Sequence, residues 1–230
     1  MSCILLLETA TKVCSVALSE NEKLLSVKES HSANSHSSVI TSFISEVINS
    51  SGKKNSDIDA VCVSMGPGSY TGLRIGVSTA KGLCYAWNKP LIAINTLQSM
   101  AMHFILKNKA DDNVLLCPMI DARRMEVYNA IFDAQGNFIR DTSAEIISEN
   151  SFSELLLKNR IIFFGDGAEK CKEILTKHSN ASIVDDLNNS ASGMIALASF
   201  KFERNQFEDT AYFEPFYLKD FLATKPKKMI

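Results

Sequence analysis

No apolar run in this sequence approaches the ~18 residues that a membrane helix needs. The opening run Cys3–Leu7 holds five apolar residues before Glu8 interrupts it, too few for the core of a secretory leader. There is no CxxC pair. The six cysteines (Cys3, Cys14, Cys62, Cys84, Cys117 and Cys171) are scattered, mostly through apolar segments. They read as small buried hydrophobes in a reducing compartment, not as a disulfide frame or a zinc site. An excess of one charge is also missing. With 24 Lys and Arg against 26 Asp and Glu, the net charge is -2 and the pI is near 6.1, so no global basic field exists. Any contact with nucleic acid then runs through a local patch or through a partner. The only clustered cations, Lys225, Lys227 and Lys228, read as a frayed, solubilising tail in preference to a phosphate-binding arm. A cytoplasmic location is the expectation.

Catalytic signatures are just as scarce. His31 and His36 are five apart and miss the i, i+4 spacing that sets two metal-ligating histidines on one helical face, while His103 and His178 stand alone. No Gly-x-Ser-x-Gly elbow presents a serine, and no cysteine has a visible activating context. Gly66-Pro67-Gly68-Ser69-Tyr70-Thr71-Gly72 lacks the Gly-Lys-Ser/Thr ending that supplies a phosphate loop with its lysine and magnesium ligand. A helix N-terminus behind glycines can bind an anion weakly; a tight turn capped by Ser69 or Thr71 is the blander reading.

What is present is an order of elements that occurs twice. Cys3–Leu7, Val13–Leu18 and Lys23–Lys28 read as three strands. Val39, Ile40, Phe43, Ile44, Val47 and Ile48 recur at helical spacing, with Gly52 where that helix stops. Strand Ala60–Met65, the glycine loop, helix Thr71–Trp87, strand Pro90–Ile94 and helix Thr96–Leu106 follow. From Val114 the order restarts. Strands are expected at Val114–Ile120 and Glu126–Phe132, with a third at Phe138–Asp141 or Ala144–Ile147. Then come a helix at Phe152–Leu157, strand Ile161–Phe164, loop Gly165-Asp166-Gly167, helix Ala168–Lys177, strand Ser182–Val184 and helix Ser190–Glu203. An acidic residue follows the first strand of each half (Glu8, Asp121), and a Gly-x-Gly follows each fourth strand. The expectation is an α/β protein of the two-lobed actin-like (ASKHA) fold, a duplicated βββαβαβα unit with lobes at 1–106 and 107–230. A plain doubly wound sheet is the rival, and the opening three-strand meander counts against it.

In that fold the first hairpin of each lobe grips phosphate, which needs glycines so that backbone N–H groups can approach the oxygens. Here the hairpins read Glu8-Thr9-Ala10-Thr11-Lys12 and Asp121-Ala122-Arg123-Arg124, without glycine. Glu8, Thr9 and Asp121 remain candidates to contact a nucleotide, and they equally suit polar turns. Helix Thr71–Trp87 is unusual. Arg74, Ser78 and Lys81 make a thin polar stripe, and the rest is nearly all apolar, so the helix is buried on more than one side. Gly72, Gly76 and Ala80 fall four apart and would let another helix approach. Internal packing and a partner interface both account for this face.

The block Gly66–Leu83 (GPGSYTGLRIGVSTAKGL) resembles the signature of the bacterial TsaB (YeaZ) proteins. The similarity extends to Ile4–Thr11 with Cys14–Leu18, where Glu8 stands at a usual Asp, to His36-Ser37, Pro90–Ala101 and Ile120–Tyr128, and to Glu214–Leu218. This resemblance implies a non-catalytic scaffold or activator with no intrinsic cofactor, ATP or ADP being met only in the complex. It implies a heterodimer with a metal-binding TsaD-like paralogue through the first-lobe helices, a TsaE-like ATPase as further partner, indirect contact with tRNA, and a homodimer when alone. The expected product is threonylcarbamoyladenosine beside the tRNA anticodon. The expected interface is Val39, Phe43, Val47, Leu73, Gly72, Gly76, Val77, Ala80 and Leu83, with Glu8, Thr9 and Asp121 as nucleotide contacts at the composite interface. No catalytic or metal-ligating residue is assigned. The alternative is a stand-alone actin-like enzyme, an ATP-dependent kinase or a glycoprotease-like hydrolase.

Overall fold

The computed structural model describes residues 2–32, 36–108 and 113–219; Lys225, Lys227 and Lys228 lie outside them. The chain opens with β1 (Cys3–Glu8), β2 (Cys14–Glu20) and β3 (Lys23–Ser30). β1 is covered on both faces, which is why it is an unbroken apolar run, whereas the edge strand β3 is largely exposed and alternates weakly. Asn21 and Glu22, both at positive φ, make the two-residue turn between β2 and β3. α1 (His36–Ser50) then buries Ile40, Ile44, Val47 and Ile48, and Gly52 at φ +69 ends the turn after it. β4 (Ala60–Gly66), α2 (Tyr70–Trp87), β5 (Leu91–Asn95) and α3 (Thr96–Lys107) complete the unit.

The second half repeats it as β6 (Val114–Asp121), β7 (Glu126–Phe132), β8 (Phe138–Ile146), α4 (Ser153–Leu156) and β9 (Arg160–Phe164). After these come α5 (Asp166–Lys170), α6 (Lys172–Leu175), β10 (Ala181–Val184), a 3₁₀ turn Ala191–Met194 and α7 (Ile195–Glu203). The sheet orders are β3-β2-β1-β4-β5 and β10-β9-β6-β7-β8. Read from opposite ends, these are one topology: an antiparallel meander extended by two parallel strands. This is the two-lobed actin-like α/β fold.

Three expectations are corrected. The third strand of the second half is a single strand, because β7 pairs with it along its length, absorbing the polar middle through register shifts beside Ile131. The helix expected at Ala168–Lys177 is two short ones, since Cys171 leaves helical geometry at φ -98 and ψ 7. The first turn of the last expected helix is 3₁₀.

The two sheets lie on either side of residues 106/107, and residues 191–217 pack back on the first. Ala191, Met194, Ile195 and Ala198 pack on Ile4, Leu6, Cys62 and Ile92. α3 lies across the seam and packs Leu97, Met100 and Phe104 against the second sheet, with the Phe104 and Phe164 rings stacked at 4.9 Å. Among the described residues no helix is long and apolar enough to cross a membrane.

Candidate functional site

The glycine loop between β4 and α2 is filled by the chain's own first hairpin. The Ala10 carbonyl accepts from Ser69 N at 2.7 Å, and Thr9 Oγ1 donates to the Gly72 carbonyl at 2.8 Å. A Cβ on Gly68 would strike the Ala10 carbonyl, one on Gly72 the Thr9 carbonyl, and one on Gly76 the Thr9 hydroxyl. The loop glycines therefore admit this hairpin, and Ser69 Oγ caps α2 by accepting from Gly72 N at 3.3 Å. The small-residue face Gly72/Gly76 is occupied from within. Of the two accounts of this face, internal packing is the one seen at Gly72 and Gly76.

Glu8 closes β1 with no exposed surface. Its Oε1 accepts from Ala10 N at 2.7 Å and from Ser64 Oγ at 2.9 Å, while Oε2 has no partner. The Asn189 amide lies close enough to favour the ionised form, although neither its Nδ2 nor Glu8 Oε2 makes a well-formed hydrogen bond among the described residues. Burial outweighs these bonds and pushes the carboxyl up to about 7. Thr9 is enclosed as well, and of the three expected nucleotide contacts only Asp121 reaches the surface. Asp121 is ion-paired with Lys170, its amide donates to Asp166 Oδ1 at 2.9 Å, and Asp166 Oδ2 lies 3.6 Å from Lys12 of the first hairpin. The facing hairpins are thus joined across the seam by the Lys12–Asp166 ion pair, which the Asp121 amide and Lys170 continue on the second lobe.

Other candidate chemistry is muted. All six cysteines are free and buried, and burial pushes the Cys3, Cys14 and Cys84 thiols up to about 11. A thiol held that high is not a nucleophile near pH 7. His103 Nδ1 lies 3.2 Å from Ser192 Oγ, but burial lowers the imidazole to about 4, leaving it a neutral core residue. His36 Nε2 donates to the Thr11 carbonyl at 2.9 Å and anchors α1 to the hairpin. No three potential metal ligands gather among the described residues.

The first-lobe helix face is where surface remains. Of the nine expected interface residues, Val39, Phe43 and Leu83 are half-buried against the core and reach solvent. Val47, Leu73, Gly72, Gly76, Val77 and Ala80 are buried in the lobe and offer a partner little or no surface. Sequence reasoning missed Ile75 and Trp87, which are half-buried beside these, and Tyr85, which is 88 % exposed. It also missed a strap, residues 208–219, laid along α2. Lys81 Nζ donates to the carbonyls of Ala211 (3.1 Å) and Phe213 (2.9 Å), and Phe216 N donates to Met65 O at 2.7 Å. The Tyr217 ring lies 5.0 Å from that of Tyr70, and Lys219 pairs with Glu126 in the second lobe. The Arg74-Ser78-Lys81 stripe was the available signal: the strap's carbonyls meet Lys81 and its Tyr217 meets Arg74.

A family model described as TsaD, tRNA N6-adenosine threonylcarbamoyltransferase, matches residues 26–227. The tRNA threonylcarbamoyladenosine biosynthesis protein TsaB of Escherichia coli is 31 % identical, over 96 % of both chains. The chain belongs to the TsaB family. A crystal structure from Pseudomonas aeruginosa, of an uncharacterized protein with similarity to peptidase YeaZ, matches with a TM-score of 0.82 and 25 % identity, covering 95 % of this chain and all of that one. The tRNA N6-adenosine threonylcarbamoyltransferase of Staphylococcus saprophyticus is 36 % identical over 108 residues, 40 % of this TsaB-family chain and 32 % of the transferase.

Proposed function

We propose that this chain is a non-catalytic scaffold or activator in tRNA threonylcarbamoyladenosine biosynthesis. It docks through the outer face of α1 and α2 onto a TsaD-type transferase, works with a TsaE-type ATPase in the cytoplasm, and meets tRNA through the complex. When alone it self-associates through the same face. The observation that carries this reading is the pairing of a first-lobe helix face bearing Val39, Phe43, Ile75, Leu83 and Trp87 with a first hairpin whose Glu8 and Thr9 are enclosed. Large apolar and aromatic side chains gathered on one face fit a protein interface. Glu8 and Thr9 are enclosed, and the loop before α2 holds the chain's own carbonyl where an anion would sit. ATP or ADP then binds only in the assembled complex, where Asp121 at the rim is the available contact.

Calorimetry with ATP and magnesium tests this reading against a stand-alone enzyme. The isolated chain should show neither tight binding nor turnover, and threonylcarbamoyl transfer by the TsaD-type paralogue should rise when the chain is added. Turnover by the isolated chain would favour the kinase or hydrolase.

A further inference from the structure

Between α2 and the strap lies a recess of about 300 Å³, walled by Arg74, Val77, Ser78 and Lys81 on the helix and by Phe213, Glu214, Pro215 and Tyr217 on the strap. Arg74 is held in a fixed pose there. Its guanidinium lies 4.2 Å from the centre of the Tyr70 ring, and Nε donates to Tyr217 Oη at 3.4 Å. That uses one of its five N–H donors, and the guanidinium is part of the recess wall. Glu214 stands on the opposite wall, yet none of Arg74, Lys81 and Glu214 has an ion-pair partner among the described residues. An arginine pre-organised by ring stacking, with its charge unpaired, is poised for a carboxylate.

A second observation concerns the helix surface beside this recess. Gly82 lies in the interior of α2, one turn beyond Ser78, and is exposed; a Cβ built on it meets nothing within 4 Å. It has no positive φ and, among the described residues, no neighbour to admit, although glycine costs about 1 kcal/mol relative to alanine in a helix interior. A glycine there leaves room for another backbone to come close. Tyr85, on the same side of α2, is almost wholly exposed. Arginine and tyrosine flanking a point of close approach make a compact recognition site.

We propose that this recess receives an acidic side chain, Asp or Glu, of the partner subunit, bound bidentately by Arg74 while the partner's backbone passes over Gly82. This rests on the reading that the chain docks on a TsaD-type paralogue. It adds the chemistry of the contact and makes the strap part of the docking surface.

Calorimetric titration of the full chain with that paralogue from the same genome tests it. R74M keeps an unbranched side chain over Tyr70 and removes the charge, and should weaken binding about 10- to 100-fold, the loss of one charge-assisted bidentate contact. R74K keeps the charge without the fork and should fall between. G82L should weaken binding without lowering the melting temperature of the isolated chain. Wild-type affinity in R74M and G82L, with the wild-type complex intact, overturns this inference and leaves the functional reading standing. A wild-type chain that binds no paralogue overturns both. Saturable, Arg74-dependent binding of inorganic phosphate at about 1 mM or below would make the recess a small-anion site and overturn the assignment to a protein carboxylate.

Discussion

Burial holds the Glu8 carboxyl near 7 against an ordinary value of 4.5, so folding favours its protonated form. The folded state therefore binds more protons than the unfolded state between about pH 4.5 and 7. Stability is greatest below that window and is lost as the pH rises through it. The shift corresponds to about 3 kcal/mol. Glu8→Gln is isosteric and never ionises, so urea unfolding should give it a stability close to wild type at pH 4.5 and up to about 3 kcal/mol greater at pH 8. No gain at pH 8 would mean that Glu8 stays ionised at little cost. The acid after β1 was legible in the sequence as a feature of each half. Its enclosure was not, because Ser64 and Asn189, which bond or approach it, lie far along the chain. Asp121 shows the converse, as the equivalent acid of the second half remains at the surface paired with Lys170.

α2 carries two kinds of glycine, and they should respond oppositely. Gly72→Ala drives a methyl into the Thr9 carbonyl and should destabilise the chain by about 2 kcal/mol or more, since backbone has to move. Gly82→Ala meets open space and should stabilise the isolated chain by about 0.5–1 kcal/mol. Chemical denaturation of both variants checks the pair; equal effects would contradict the packing described. The strap yields another prediction. Lys81→Met removes two bonds to strap carbonyls, so amide exchange should quicken across residues 211–217 while α2 itself stays protected. The elements themselves were well marked in the sequence: α1 by its spacing, α2 by its loop and apolar rows, and both meanders by their short strands. Which rows of α2 face inward was not, because small residues serve equally well for an internal hairpin and for an external helix. Only the position of Thr9 decides.

At the scale of the whole molecule, two copies of one unit have kept the actin-like topology while the seam between them has been filled. The hairpins are linked through Lys12, Asp166, Asp121 and Lys170, and the strap runs from the first lobe to Glu126 in the second. The duplication was readable because each half repeats its acid and its Gly-x-Gly at matching places. The return of α7 and the strap to the first lobe was not, since nothing local in residues 191–219 names the surface that they cover. Under the proposed function, a fold suited to gripping phosphate serves instead to hold a helix face for a partner. The most direct measurement is the mass, by size-exclusion chromatography with light scattering, of mixtures of the TsaD-type paralogue with wild type and with Phe43→Glu. Phe43 is half-buried at the edge of the α1 face, and its replacement should leave a folded monomer, checked by circular dichroism. Wild type should form a heterodimer, and Phe43→Glu should leave separate monomers. A heterodimer of unchanged stability with Phe43→Glu would contradict the role proposed for this face.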